Sequence, residues 1–332
     1  MSTLSDVAKR AGVSLATASR AMNGAQGRSV RPELRERVLA AARELDYLPH
    51  AAAQTMARGH SNSLGLLVND IADPHFASIA AGVTSAAAAQ GCIVTLSSTG
   101  IAAHPRAEVV NLMTAQRVRA LIVAGSVSAI DPDLGELRSA LGRLVRAGAR
   151  IASIGAEELG VQSVLLPNRQ GATELADALL ALGHRRFAVL AGPPDLPSAS
   201  SRADAFRERV HQGGGTVLAS VHSAFDRQAG QRATAELIAG ELPDLIFATN
   251  DLLALGALRQ LREAGLDVPG DIGLAGFGDG DALLDVVPSI TSVRLDAAHA
   301  GELAVQLVLD SDPGVRDVQL GYQVNLREST LR

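Results

Sequence analysis

The chain has 332 residues, yet no tryptophan, one cysteine, one lysine and only 2% aromatic side chains. Each shortage excludes something. Cys92 has no second cysteine to close a disulfide with, and it reads as a small apolar core residue in a strand. Without tryptophan the chain lacks the commonest flat platform for a pyranose ring. No apolar run approaches the roughly 18 residues that span a bilayer, so no membrane partner is expected. The polar N-terminus has no secretory apolar region, which predicts a cytoplasmic protein. No His/Cys/Asp cluster has metal-ligand spacing, and neither metal nor cofactor is expected.

Charge is short overall and unevenly spread. Residues 1–60 carry nine basic and five acidic side chains, a balance of +4, within a chain whose total is −5. The remainder is therefore −9. A basic head on an acidic body points to a polyanion as the partner of the head.

The apolar spacing predicts three short helices in the first 48 residues. They are Leu4–Ala11, Leu15–Met22 capped by Ser14, and Glu33–Leu45 begun by Pro32. Gly12 can take the positive φ of a tight turn between the first two. Ala51–Arg58 reads as one more short helix, and residues 59–62 as a linker. From Leu64 short apolar runs such as "LGLLVND", "CIVTLSS", "RALIVAGS", "RRFAVLAG" and "DLIFATN" alternate with amphipathic stretches. Continuous apolar strands alternating with helices predict parallel sheets covered on both faces. About ten strand–helix units exceed one sheet, so two doubly wound halves are expected, with strand ends of small and polar residues facing a cleft.

"DVAKRAGVSLATASRAMNG", residues 6–24, has the grammar of a helix-turn-helix. Ala8, Ala11, Ala16 and Ala18 would let two helices approach closely. Ser14, Thr17, Ser19 and Arg20 could reach phosphates or base edges. Spacing alone would equally allow an ordinary helical hairpin. The segment "TLSDVAKRAGVSLATASRAMNG" resembles the N-terminus of the lactose-repressor (LacI/GalR) family of bacterial transcriptional regulators. The likeness runs on through "RERVLAAARELDYLPHAAAQTMARGHSNSLGLLVNDIADPHF", "ALGHRRFAVLAGP", "FATNDLLALGALRQLREAGLDVPGDIGLAGF" and "ITSVRLD".

That resemblance implies an all-α helix-turn-helix headpiece (1–48), a hinge helix and linker (49–62), and a two-lobed α/β core (63–332) like a periplasmic sugar-binding protein. It implies a homodimer that binds a pseudo-palindromic DNA operator under control of a small effector, a sugar or sugar acid. Base selection would fall to Leu15 and Ala16, with Leu15 suited to a thymine methyl. Arg20 matches the family's helix arginine, and Thr3, Ser5, Ser14, Thr17, Ser19 and Asn23 match positions that hold phosphates or flanking bases. In the hinge, His50, Ala53 and Met56 follow Pro49, with Met56 as the minor-groove wedge. Effector contacts carry over to His75, Phe76, Ser97, Ser98, Ser126, Arg202, Phe225, Asn250 and Asp279. Phe225 would stack on the effector, and Asn250 would hold a diol with its donor and its acceptor.

The chain departs from the pattern at "GFGD", where many sugar-binding members have two acids. Here Gly278 replaces the first and Asp279 is kept. One acid fewer beside Arg202 leans toward a sugar acid or another small anion. Two other classes compete: a non-regulatory sugar-binding protein, and an enzyme acting on a small polyol or sugar acid. The first fits neither the headpiece nor the missing leader. The second finds little support, because "GFGDGD" lacks the dinucleotide spacing and Ser198, Ser200 and Ser201 lack a nucleophile elbow.

Overall fold

A computed structural model describes residues 2–23, 30–47, 60–99, 105–309 and 317–331. Three helices open the chain: α1 (Leu4–Ala11), α2 (Leu15–Asn23) and α3 (Pro32–Glu44). Thr3 and Asp6 start α1 with a capping box. The Thr3 N–H and hydroxyl donate to Asp6 Oδ2 at 2.9 and 2.7 Å, and the Asp6 N–H donates to Thr3 Oγ1 at 3.3 Å. Gly12 ends the helix at φ 64°, in the left-handed region. Arg37 then closes the turn by donating from Nη2 to Ala11 O at 2.5 Å. Val7, Ala8, Ala11, Ala18, Ala21, Val38, Ala41 and Ala42 form one small buried cluster. Ala16 faces outward, so it is not among the small residues of the helix contact.

Strand and helix then alternate. The first lobe holds β1 (Ser63–Val68), α4 (Pro74–Ala89), β2 (Ile93–Ser98), α5 (Arg106–Ala115), β3 (Ala120–Ala124), α6 (Leu134–Arg146), β4 (Arg150–Ile154) and β5 (Gln162–Leu165). The chain crosses to a second lobe with α7 (Asn168–Ala181), β6 (Arg186–Leu190), α8 (Pro197–Gln212), β7 (Thr216–Val221), α9 (Arg227–Ile238), β8 (Leu245–Ala248), α10 (Asp251–Glu263), β9 (Gly273–Gly278) and β10 (Thr291–Leu295). It returns with α11 (Ala297–Leu309), which packs on α4, and β11 (Asp317–Gln319). A third crossing delivers β12 (Tyr322–Asn325) to the second lobe.

The two sheets repeat one topology: β11-β5-β4-β3-β1-β2 and β12-β10-β9-β8-β6-β7. All pairings are parallel except β12, which runs antiparallel to β10. The central β1, β3 and β8 are buried along their whole length, as strands with helices on both faces must be. The edge strands β2 and β7 are half-exposed. Phe206 stacks on Phe247 at 4.3 Å in the core of the second lobe.

Candidate nucleic-acid interface and effector cleft

The headpiece offers one apolar side chain to solvent at the start of α2. Leu15 is 54% exposed, although burying it would be worth about 1.5–3 kcal/mol. Ala16 and Arg20 are exposed beside it. Arg20 makes no hydrogen bond or ion pair among the described residues. Hydroxyls at three expected contact positions are already engaged in local structure. Thr3 sits in its capping box, and Ser14 accepts the Thr17 N–H at 3.1 Å while the two hydroxyls meet at 2.9 Å. Ser5 is exposed and Ser19 half-buried. Asn23 closes α2. His50, Ala53 and Met56 lie outside the described residues.

Between the lobes, beyond the carboxyl ends of both sheets, lies a cleft of about 990 Å³. The first lobe contributes Asp73, His75 and Phe76 at the start of α4, and Ser126 after β3. The second contributes Arg202 from α8, Phe225 before α9, Asn250 and Asp251 at the start of α10, and the loop after β9.

Arg202 is buried and held from two sides. Its Nε donates to Asn168 Oδ1 and its Nη1 to Thr249 O, both at 2.8 Å. Its guanidinium carbon lies 4.1 Å from the Phe277 ring centroid. Nη2 makes no hydrogen bond among the described residues. Burial lowers its pKa to about 10, so it stays charged. Burial, reinforced by Arg202, also lowers His75 to about 4, which makes it a neutral imidazole at physiological pH. Asn250 caps α10 by accepting the Leu253 N–H on Oδ1 at 2.9 Å. Phe225 leans on Gly192, where a Cβ would fall 2.1 Å from the ring.

Asp251 was not singled out in the sequence. Its Oδ1 accepts the Asp279 N–H at 3.2 Å and its Oδ2 accepts the Gly280 N–H at 2.8 Å. Burial pushes its pKa up to about 7 against those two bonds, and the neighbouring Asp279 charge adds to the rise. Gly278 makes room for it. A Cβ at that position would lie 2.7 Å from Asp251 Oδ2, and the backbone there has φ 132°.

A helix-turn-helix head and a two-lobed α/β core have counterparts among known proteins. Residues 3–50 fit the model of the bacterial regulatory proteins of the lacI family, and residues 176–330 fit the periplasmic binding protein-like domain. The transcriptional repressor CytR of Escherichia coli is 30% identical over 94% of this chain and 90% of its own. The regulator CelR of Thermobifida fusca is 31% identical over 94% and 92%. The crystal structure of the Lac repressor dimer bound to operator and the anti-inducer ONPF superposes with a TM-score of 0.87 at 26% identity, covering 100% of this chain and 99% of the other.

The chain belongs to the LacI family of transcriptional regulators. Its relatives are regulators, not enzymes. Among the described residues no helix is long and apolar enough to cross a membrane.

Of the effector positions carried over from the LacI family, His75, Phe76, Ser126, Arg202, Phe225 and Asn250 come together in the cleft. Three expectations need correction. Ser97 and Ser98 do not line it; the Ser98 hydroxyl donates to Asn69 O at 3.2 Å and accepts the Ile71 N–H at 3.3 Å. Asp279 lines it with backbone, because Arg327 and Asn325 grip its carboxylate from behind. Asn250 has its acceptor in a helix cap, so its side chain does not present a free acceptor and donor together.

Proposed function

We propose that this regulator binds operator DNA as a homodimer in the cytoplasm and releases or tightens it when an uncharged, hydroxyl-rich ring compound fills the cleft. The headpiece would span 1–48, the hinge 49–62, and the effector-binding and dimerisation core 63–332. Leu15 would read a thymine methyl, while Arg20 and Ser5 would reach phosphate or base edges. Met56 would wedge the minor groove. The Lac repressor dimer, bound to operator and ONPF, supports this reading by its likeness along the whole chain.

The observation that carries the effector class is the charge of the lining. Six aspartates line it against three arginines, Arg202, Arg227 and Arg294; with Asp279 paired to Arg327 and Asp251 half-protonated near pH 7, the acids still outnumber the arginines. A carboxylate ligand would enter an already acidic site. This reading departs from the lean toward a sugar acid drawn from Gly278, because the Asp251 carboxylate lies against that position. The donors Arg202 Nη2 and Asn250 Nδ2, unpartnered among the described residues, suit hydroxyls on a ring together with the Asp251 acceptor and the Phe225 face.

Calorimetry with matched pairs tests this reading. Glucose against gluconate and cellobiose against cellobionate would be run with the full-length protein, then with DNA from upstream of its gene. The neutral partner of a pair should bind and change DNA affinity. Binding of the acids alone would overturn the charge argument, and turnover of a ligand would overturn the regulator reading.

A further inference from the structure

We propose that Arg327 is a positioning residue of the effector cleft, acting through Asp279 to hold two backbone N–H groups on the carboxylate of Asp251. The proposal rests on reading the cleft as the effector site. Among the described residues, the only lining group that the Arg327 side chain hydrogen-bonds is Asp279. Its Nη1 and Nη2 meet Oδ1 and Oδ2 at 2.5 and 2.8 Å, fork on fork. Asn325 Nδ2 adds a third bond to Oδ2 at 2.8 Å. The Asp279 side chain is 2% exposed and that of Arg327 15%. A carboxylate gripped in this way has little left for a ligand.

Its service to the cleft lies in its backbone. Asp279 has φ 62°, a left-handed conformation that a residue with a side chain adopts at a cost. The ion pair anchors the side chain, and the turn then aims the N–H groups of Asp279 and Gly280 at Asp251. Arg327 is itself fixed. It donates from its backbone N–H to Thr291 Oγ1 at 2.8 Å and from Nη1 to Ile290 O at 2.6 Å. It lies two residues past the end of β12, the strand that the third crossing delivers to the second lobe. The crossing and the acid of the cleft are therefore linked by one chain of contacts.

Two other charged groups bear on Asp251: Asp279 from the loop after β9, and Arg202 from α8. Asp73, from the cap of α4, acts on Arg202. Removing the clasp withdraws hydrogen bonds from the ionised form of Asp251, so its protonation midpoint must rise.

The experiment is a carboxyl-carbon NMR titration of the full-length protein labelled at aspartate, with D251N to assign the resonance. It needs no effector, so a failed ligand screen and a failed clasp remain distinguishable. R327M should move the Asp251 midpoint upward by about one pH unit. D279N is the deciding variant. If Asp279 acted on Asp251 only as a charge, removing that charge would lower the midpoint. If it acts as a clasp, the midpoint rises, as in R327M. R327K keeps the charge but not the fork, should also raise it, and stands in if R327M does not fold. A midpoint lowered in D279N, or unmoved in D279N and in the folded Arg327 variant, overturns the proposal.

Discussion

Asp251 makes the stability of this protein pH-dependent in a direction that can be worked out. Its folded-state pKa is about 7, against an ordinary value of 3.8. Below about pH 4 the folded and unfolded chains both hold the proton, and stability is at its fullest. Between pH 4 and 7 the folded chain holds a proton that the unfolded chain has released, so stability falls as pH rises. Above 7 the loss is complete. Integrating the two titrations between pH 5 and 8 gives a loss of about 2–3 kcal/mol attributable to this one group. D251N removes it while nearly keeping the shape. The assay is urea unfolding of the full-length protein, followed by circular dichroism at pH 5, 6, 7 and 8. The quantity to compare is the wild-type value minus that of D251N, in which the other titrating groups largely cancel. The variant loses one acceptor for an N–H, which shifts this difference by a constant. The difference itself should fall by those 2–3 kcal/mol as pH rises from 5 to 8. A difference constant within about 0.5 kcal/mol would mean that Asp251 is ionised throughout and that its burial matters less than its two N–H donors.

Further outcomes are expected. Arg20→Ala should weaken operator binding by about 1–3 kcal/mol in a filter or fluorescence assay, while Leu15→Ala should relax the base preference at one position. Both should leave the melting temperature unchanged, because both side chains are exposed. Thr3→Ala removes the capping box and should destabilise α1 by about 0.5–2 kcal/mol, seen as faster amide exchange in the headpiece with the core unaffected. Gly192→Ala places a Cβ 2.1 Å from Phe225 at a backbone φ of 68°; the ring must move, and effector affinity should fall with little effect on DNA binding in the absence of effector. Tight binding of a neutral sugar by this variant would remove Phe225 from the site.

The sequence was most legible where a local rule and the final structure agree. Gly12, Ser14 and Pro32 mark turns or helix starts, and each mark is realised by a φ, a cap bond or a first helical position. The alternation of apolar runs and helices was enough to predict two parallel sheets, because a strand buried on both faces has few other readings. It could not foresee β12. A strand of four residues, half of them exposed, carries no periodic signal, and its partner β10 lies 27 positions or more away.

The cleft was legible by position and not by role. Asn250 and Asp279 were both expected to face a ligand with their side chains, and both occupy its wall. What each side chain does depends on a partner that spacing cannot reveal: the Leu253 N–H for one, Arg327 for the other. The missing acid at Gly278 shows the same limit from the opposite side. Reading that one position suggested that a negative charge had been lost. In the fold, the space vacated by that side chain is occupied by the carboxylate of Asp251, a residue that at the first turn of a helix looks like ordinary dipole compensation. The electrostatic character of the cleft thus belongs to the ring of groups around it, and an inference about effector charge must start from that ring.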